Sequence, residues 1–419
     1  MENGSGTLQH DNMELINTES FDYNSLFSTK IEQLKKDGNY RYFLDVNKSA
    51  QHFPKFYYED DQGKKKSAIN WCSNDYLCMS VHEEVISKLS FVAHKSGVGS
   101  SGTRNISGTT IYHRELENTI ADLHKKEAAL LFNGAYMANL TTLSTLGKIL
   151  PGCVLLSDER NHASIIEGVK ASGCEKYVFK HNDLEHLEQI LISIDLSKPK
   201  LIVFESVYSM SGNVAPIKEI VKLAKKYNAL TYIDEVHAVG LYGGEGAGVA
   251  SAMNSDTEID IINGTLAKGY GVIGGYIAGK KNIIDVIRSF GSGFIFTTSL
   301  PPAVCSAANK SIELLRDNKR IRPAYQNKVT RFRAILAKFN ISFKPNTSHI
   351  TIIPVGDSAK CKKISDSLLM EHNVYIQPIN YPTVNRGEEC LRITLSMRHE
   401  ESDMLYLAKS LKKVLDEIV

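Results

Sequence analysis

From about residue 128 onward, short apolar runs alternate with segments whose apolar residues recur at helical spacing. The runs at 128–132, 153–157, 201–205, 230–234 and 261–265 are strand-sized and bounded by turn or helix signals. Between the third and fourth of them, Pro216 falls at a first helical position. Ile217, Ile220, Val221 and Ala224 then follow at i, i+3, i+4 and i+7. Strand, helix, strand in succession predicts an α/β fold with a large, mostly parallel sheet covered by helices on both faces.

After Pro301 and Pro302 the pattern turns to long helices, then to strand-like segments near 349–354 and 391–394. A last helix carries apolar residues at 404, 407, 408, 411, 415 and 418. Together these predict a smaller α+β C-terminal domain. The expected division is a tail over residues 1–20, an N-terminal segment over 21–75, a catalytic domain over 76–310 and a C-terminal domain over 311–419.

Composition excludes several functional classes. The 419 residues are 42% hydrophobic and 23% charged, and 49 basic against 47 acidic residues, well mixed, leave a net charge of +2. Nothing there would attract nucleic acid. The longest apolar runs fall far short of the roughly 18 to 20 residues that span a bilayer, so no membrane anchor is expected. Seven cysteines with no CxxC pair fit reduced thiols in a cytoplasmic compartment. The first twenty residues hold no Lys or Arg, whereas a mitochondrial presequence is arginine-rich and acid-poor. A cytoplasmic protein of bacterial type is therefore expected, and a mature organellar form would carry the same features.

Ligands of an open parallel sheet bind at the carboxyl ends of its strands, so the polar residues there are the ones to inspect. Lys268 follows the last of the runs among small residues, where partial desolvation would leave a nucleophilic amine suited to a carbonyl cofactor. Asp234 ends another run and could keep a ring nitrogen protonated. His162 could stack on a flat ring and His237 could donate to a phenolic oxygen. The Gly134-Ala135-Tyr136 turn opens a helical pattern whose first N–H groups would hold an anion. Taken singly, Lys268 could be a surface lysine, Asp234 a helix cap, and either histidine a structural one.

Six pieces occur in order: Asn74-Asp75-Tyr76-Leu77, Asp158-Glu159-Arg160-Asn161-His162-Ala163-Ser164, Glu205-Ser206-Val207-Tyr208-Ser209-Met210, Asp234-Glu235-Val236-His237-Ala238-Val239-Gly240, Gly264-Thr265-Leu266-Ala267-Lys268 and Phe296-Thr297-Thr298. From about Phe21 to the C-terminus the chain resembles the α-oxoamine synthase family of fold-type I pyridoxal-phosphate (PLP) enzymes. The resemblance implies that Lys268 carries the cofactor aldehyde, Asp234 meets the ring nitrogen and His162 stacks on the ring. It places His237 and Ser209 beside the phenolic oxygen. Ala135, Tyr136, Thr265 and a Thr297 from a partner subunit would hold the phosphate, which implies a homodimer with active sites at its interface.

Narrower stretches look like the branch of that family that condenses glycine with succinyl-CoA to form aminolevulinate, the first step of tetrapyrrole synthesis. They are Asn39-Tyr40-Arg41-Tyr42-Phe43, Gly102-Thr103-Arg104-Asn105-Ile106-Ser107-Gly108, His181-Asn182-Asp183-Leu184 and Gln377-Pro378-Ile379-Asn380-Tyr381-Pro382-Thr383-Val384. Arg41 makes chemical sense there, since a guanidinium fork is the natural partner of a succinyl carboxylate. By resemblance Asn105 and Thr383 help hold that tail, Thr103 packs against the small substrate, Arg392 takes the glycine carboxylate, and Asn74 and Ser157 also contact substrate. Another α-oxoamine synthase such as a glycine C-acetyltransferase, a fold-type I aminotransferase and a non-catalytic PLP-binding protein are the alternatives. The chain departs from the family pattern at Ile111-Tyr112-His113 and at Thr394-Leu395-Ser396-Met397.

Overall fold

The computed structural model describes residues 20–60 and 62–418. The expected tail over 1–20 therefore lies, Ser20 apart, outside the described residues. Two compact units divide the chain, one ending at Tyr42 and the other running Phe43–Val419. In the first, Asp22 caps the helix Tyr23–Lys36 by accepting from the Ser25 amide at 3.0 Å. Arg41 follows that helix and is exposed.

The second unit is built on seven strands: β1 (Ala128–Phe132), β2 (Val154–Asp158), β3 (Glu175–Phe179), β4 (Lys200–Glu205), β5 (Ala229–Asp234), β6 (Ile261–Thr265) and β7 (Gly275–Gly279). Their spatial order is β1-β7-β6-β5-β4-β2-β3. All neighbours are parallel except β7, which runs antiparallel to both β1 and β6. The five apolar runs of the sequence thus become strands within a residue of the expected limits. Every residue of β2 and β4 is buried, as a parallel sheet covered on both faces requires.

Successive side chains of a strand face opposite ways, and the core follows that rule. Leu155, Leu201 and Val203 pack with the helices Ala135–Ile149, Ala163–Ser172 and Lys281–Phe290 on one face. Val154, Leu156, Ile202 and Phe204 pack with Leu184–Ser193 and Ile217–Lys226 on the other. Ile217, Ile220, Val221 and Ala224 are the buried stripe of that last helix. Pro216 caps it rather than opening it, since its ψ of 67° lies outside the helical range.

C-terminal to the long helices Pro302–Asp317 and Ile321–Lys338, an antiparallel sheet joins Thr351–Pro354, Cys390–Ile393 and Pro378–Ile379. The helix Glu401–Ile418 buries Met404, Leu407, Ala408 and Leu411 against this end of the core. Lys65–Asn70 pairs in parallel with Val374–Tyr375, so the segment preceding Asn74 is tied to the C-terminal part by main-chain hydrogen bonds. No helix among the described residues is long and apolar enough to cross a membrane.

Candidate active site

The site is assembled where β2, β4, β5 and β6 end. Asp234 closes β5 and pairs in register with Glu205 of β4 and Asn263 of β6. Lys268 lies just past β6, its Nζ 2.8 Å from Nε2 of His237, which follows β5. Burial pulls the Lys268 amine from the ordinary lysine value of 10.5 to about 7, against the upward pull of Asp234 and with a further push from Arg392. A large fraction is then uncharged and nucleophilic at neutral pH. Burial, with Lys268 and Arg392 beside it, drives His237 well below the ordinary imidazole value and keeps it neutral.

A chain of hydrogen bonds runs from this pair to the C-terminal sheet. His237 Nδ1 is 2.9 Å from the Tyr76 hydroxyl, which donates to Asn74 Oδ1 at 3.0 Å. With its single proton given to Asn74, Tyr76 accepts from Nδ1–H, and Nε2 of His237 accepts from Lys268. Arg392, on Cys390–Ile393, donates from Nη1 to Asn74 Oδ1 at 3.2 Å and from Nε to the Ser209 carbonyl at 2.7 Å. It is 6% exposed, and those contacts are all with neutral acceptors. A buried guanidinium held this way is a receptor for a carboxylate. His349 packs edge-on against Tyr76 with ring centroids 4.5 Å apart, and its Nδ1 is 3.0 Å from the Tyr242 hydroxyl.

Around Asp234 the contacts are equally specific. Its Oδ1 accepts from the Val236 amide at 2.8 Å and its Oδ2 from Asn139 Nδ2 at 2.7 Å. Glu205 is buried beside it, and burial together with Asp234 raises its pKa well above that of an ordinary carboxylate. His162 is exposed, but its Nδ1 is tied to Ser164, 2.8 Å from Oγ and 3.2 Å from the amide that donates to it. Its remaining ring proton therefore sits on Nε2.

The helix Ala135–Ile149 begins at Gly134, and no side chain caps it. Its first N–H groups are left for a ligand, with the positive end of the helix dipole behind them. Gly275 of β7 is what lets the helix start there, because a Cβ on it would lie 2.2 Å from the Ala135 nitrogen. Thr265 closes β6, accepting from the Ala267 amide at 3.1 Å. The Tyr136 ring meets His162 edge-on at 6.3 Å, which brings the helix start beside His162.

Uncapped helix, carboxylate, exposed imidazole and partly neutral amine are complementary to the dianion, the ring nitrogen, the flat ring and the aldehyde of PLP. The residues fit that cofactor.

The other sequence-predicted residues have the following surroundings. Thr103 Oγ1 donates to Asn105 Oδ1 at 2.7 Å, and Thr103 bridges Thr298. Thr297 donates to the Gly293 carbonyl at 2.6 Å. Ser157 is buried and accepts from Asn161 Nδ2 at 2.9 Å. Thr383 is exposed in the 380–389 loop, which Glu388 fastens to Arg160 by an ion pair of 2.9 Å. Arg41 belongs to the first unit. No part was expected of Tyr76, Ser164 or Glu205, although each lies in a stretch that carries the family resemblance, nor of Asn139 or His349. A polar residue at the buried position 139, between Ala138 and Leu143, was the one signal that could have found Asn139.

Comparison with known proteins agrees with this geometry. Residues 66–411 match the family described as aminotransferase class I and II. The chain is 49% identical to the 5-aminolevulinate synthase of Rickettsia prowazekii over 396 residues, 94% of each chain. It is 46% identical to the erythroid-specific, mitochondrial 5-aminolevulinate synthase of Danio rerio, covering 96% of this chain and 70% of that one. Among solved structures, serine palmitoyltransferase from Sphingomonas wittichii superposes with a TM-score of 0.85 at 26% identity, over 94% of this chain and 98% of that one. A serine palmitoyltransferase solved with PLP superposes at 0.86 with 27% identity over the same shares. The chain belongs to the 5-aminolevulinate synthase family of PLP-dependent acyltransferases.

Proposed function

We propose that the chain condenses glycine with succinyl-CoA, releasing CoA and carbon dioxide and forming 5-aminolevulinate. The observation that carries this is Arg392, a buried guanidinium on neutral acceptors, sharing Asn74 and Tyr76 with the His237–Lys268 pair. Glycine would set its carboxylate on Arg392 and Asn74, which points its amine and α-carbon toward Lys268.

When bound, PLP supplies an aldehyde for amine exchange and a protonated ring that draws electrons from the α-carbon. Lys268 would anchor it, Asp234 would hold the ring nitrogen protonated, and His162 would cover the ring face. His237 and Ser209 would lie at the phenolic oxygen, and the helix start at Ala135 and Tyr136, with Thr265, would take the phosphate. The Lys268 amine then removes one glycine α-proton as general base. The α-carbon bonds to the thioester carbonyl carbon, and the C–S bond breaks to release the CoA thiolate. Carbon dioxide departs from the former glycine carboxylate, and Lys268 returns a proton to the same carbon.

The family resemblance assigns the succinyl tail to Arg41, whose guanidinium fork suits a carboxylate, and to Asn105 and Thr383. A homodimer belongs to the same proposal. Val98, Ile106 and Phe296 are 83%, 80% and 80% exposed, and along the chain they lie near Thr103 and Thr298, which bridge, and near Thr297. A second copy covering them would explain that exposure. A cytoplasmic location, as in bacteria, completes the reading.

A donor panel tests it. Purified protein loaded with PLP and given glycine should form product with succinyl-CoA far faster than with acetyl-CoA or a long-chain acyl-CoA. Arg41→Leu should raise the KM for succinyl-CoA roughly tenfold to hundredfold, the loss of charge-assisted hydrogen bonds, and leave the KM for acetyl-CoA unchanged. Equal use of acetyl-CoA by the unaltered protein would contradict the proposal.

A further inference from the structure

We infer that Asn139 is the positioning residue that fixes Asp234 and His162 relative to one another and to the anion-binding helix start. This rests on the reading that the site holds PLP. The amide stands at the centre of a closed hydrogen-bond network. Its Nδ2 donates to Asp234 Oδ2 at 2.7 Å and to Ser164 Oγ at 2.9 Å. Its Oδ1 accepts from the Tyr232 hydroxyl at 2.7 Å. Ser164 Oγ in turn lies 2.8 Å from Nδ1 of His162.

Both amide protons are spent, and the orientation of the group is determined: the Asp234 carboxylate only accepts, which turns the nitrogen toward it and leaves the oxygen to accept from Tyr232. Asn139, Ser164 and Tyr232 are 1%, 1% and 0% exposed, and no water competes for these bonds. The network thus joins the group beneath the ring nitrogen to the group above the ring face through a single side chain.

Packing makes the arrangement stiff. Asn139 lies four residues after Ala135 on the helix Ala135–Ile149, about 6 Å along its axis from the N–H groups that take the anion. That helix is pressed against Ala163–Ser172, where a Cβ on Gly168 would come within 3.0 Å of the Asn139 carbonyl. The glycine permits the approach that brings Asn139 to Ser164. One helix therefore sets the distance between the phosphate end and the nitrogen end of the cofactor.

Chemistry restricts the residue to a neutral donor. A carboxylate at 139 would face Asp234 across 2.7 Å, and two carboxylates at that distance share a proton. Asp234 would then lose the charge that keeps the ring nitrogen protonated. An apolar side chain would leave Asp234 Oδ2 and the Tyr232 hydroxyl buried without this partner.

The test compares the PLP-loaded proteins carrying Asn139→Ala, Asn139→Asp and Ser164→Ala with the unaltered chain. PLP affinity is measured by titrating each apoprotein, the bound-cofactor absorption is followed against pH, and the thermal midpoint of each apoprotein reports folding. Asn139→Ala should weaken PLP binding roughly tenfold to hundredfold. Asn139→Asp should move the midpoint of the absorption change along the pH axis. Ser164→Ala, which removes the His162 arm alone, should change the circular dichroism of the bound cofactor and leave that midpoint in place. Loss of PLP affinity in Asn139→Ala together with an unmoved pH midpoint in Asn139→Asp would reduce Asn139 to a packing role and overturn the inference. So would unaltered affinity in both. If either Asn139 variant fails to fold, an unchanged dichroism in Ser164→Ala overturns it instead. These outcomes leave the cofactor reading standing, whereas an unaltered chain that does not bind PLP removes both.

Discussion

Lys268 is surrounded by groups that pull its amine in opposite directions. Burial and Arg392 favour the neutral form, Asp234 and Glu205 the charged one, and burial wins, bringing the amine to about 7. The sign is that of a base with a lowered pKa: the neutral form accumulates as pH rises through 7, well below the 10.5 of an ordinary lysine. In the apoprotein, covalent modification of Lys268 by an amine reagent, followed by peptide mass mapping, should rise with pH around a midpoint near 7. A midpoint near 10, shared with surface lysines, would mean that the pocket does not activate it. Lys268, Asp234, His162 and His237 were legible in the sequence because each is polar and stands at or just after an apolar strand. Asn139 was not, since an amide inside an apolar stretch carries no mark of what its polar atoms meet, and Tyr76 stood in a stretch that carries the resemblance without a part of its own. Only the folded distances, 2.7 Å to Asp234 and 2.9 Å to His237, give them a part.

The helix Ala135–Ile149 and β7 depend on each other through Gly275. With a Cβ there 2.2 Å from the Ala135 nitrogen and 2.4 Å from the Gly134 carbonyl carbon, backbone meets backbone and no side chain can yield. Gly275→Ala should shift the helix start, cost about 1 to 3 kcal/mol of stability in unfolding measurements, and weaken PLP binding more than it changes the KM for glycine. Retention of PLP at unaltered affinity would show that the helix start does not carry the phosphate. The five buried strands and the helical connection at 217–226 were readable from periodicity. Two strands escaped it for physical reasons. β3 is an edge strand with Glu175 and Lys176 exposed, so it lacks an apolar run. β7 is a five-residue strand with glycine at both ends, and its antiparallel direction interrupts the strand-helix alternation.

On the scale of the whole molecule, the exposed apolar residues Val98, Ile106 and Phe296 are what the proposed second copy would cover. If a second copy covers them, Phe296→Asp should turn a dimer into a monomer in sedimentation velocity and remove most of the condensing activity. A chain that sediments as a monomer without any substitution would contradict the dimer. The α/β core was visible in the sequence as alternation. The parallel pairing of Lys65–Asn70 with Val374–Tyr375 was not, because strands roughly three hundred residues apart leave no local pattern behind.

The central claim is that one amine, that of Lys268, carries the cofactor. Borohydride reduction of the PLP-loaded protein followed by peptide mass mapping tests it directly. The reduced pyridoxyl phosphate group should be found on the peptide containing Lys268, and Lys268→Ala should show no modification at any other residue. A pyridoxyl group on a different lysine, or full labelling of the Lys268→Ala protein, would contradict the account.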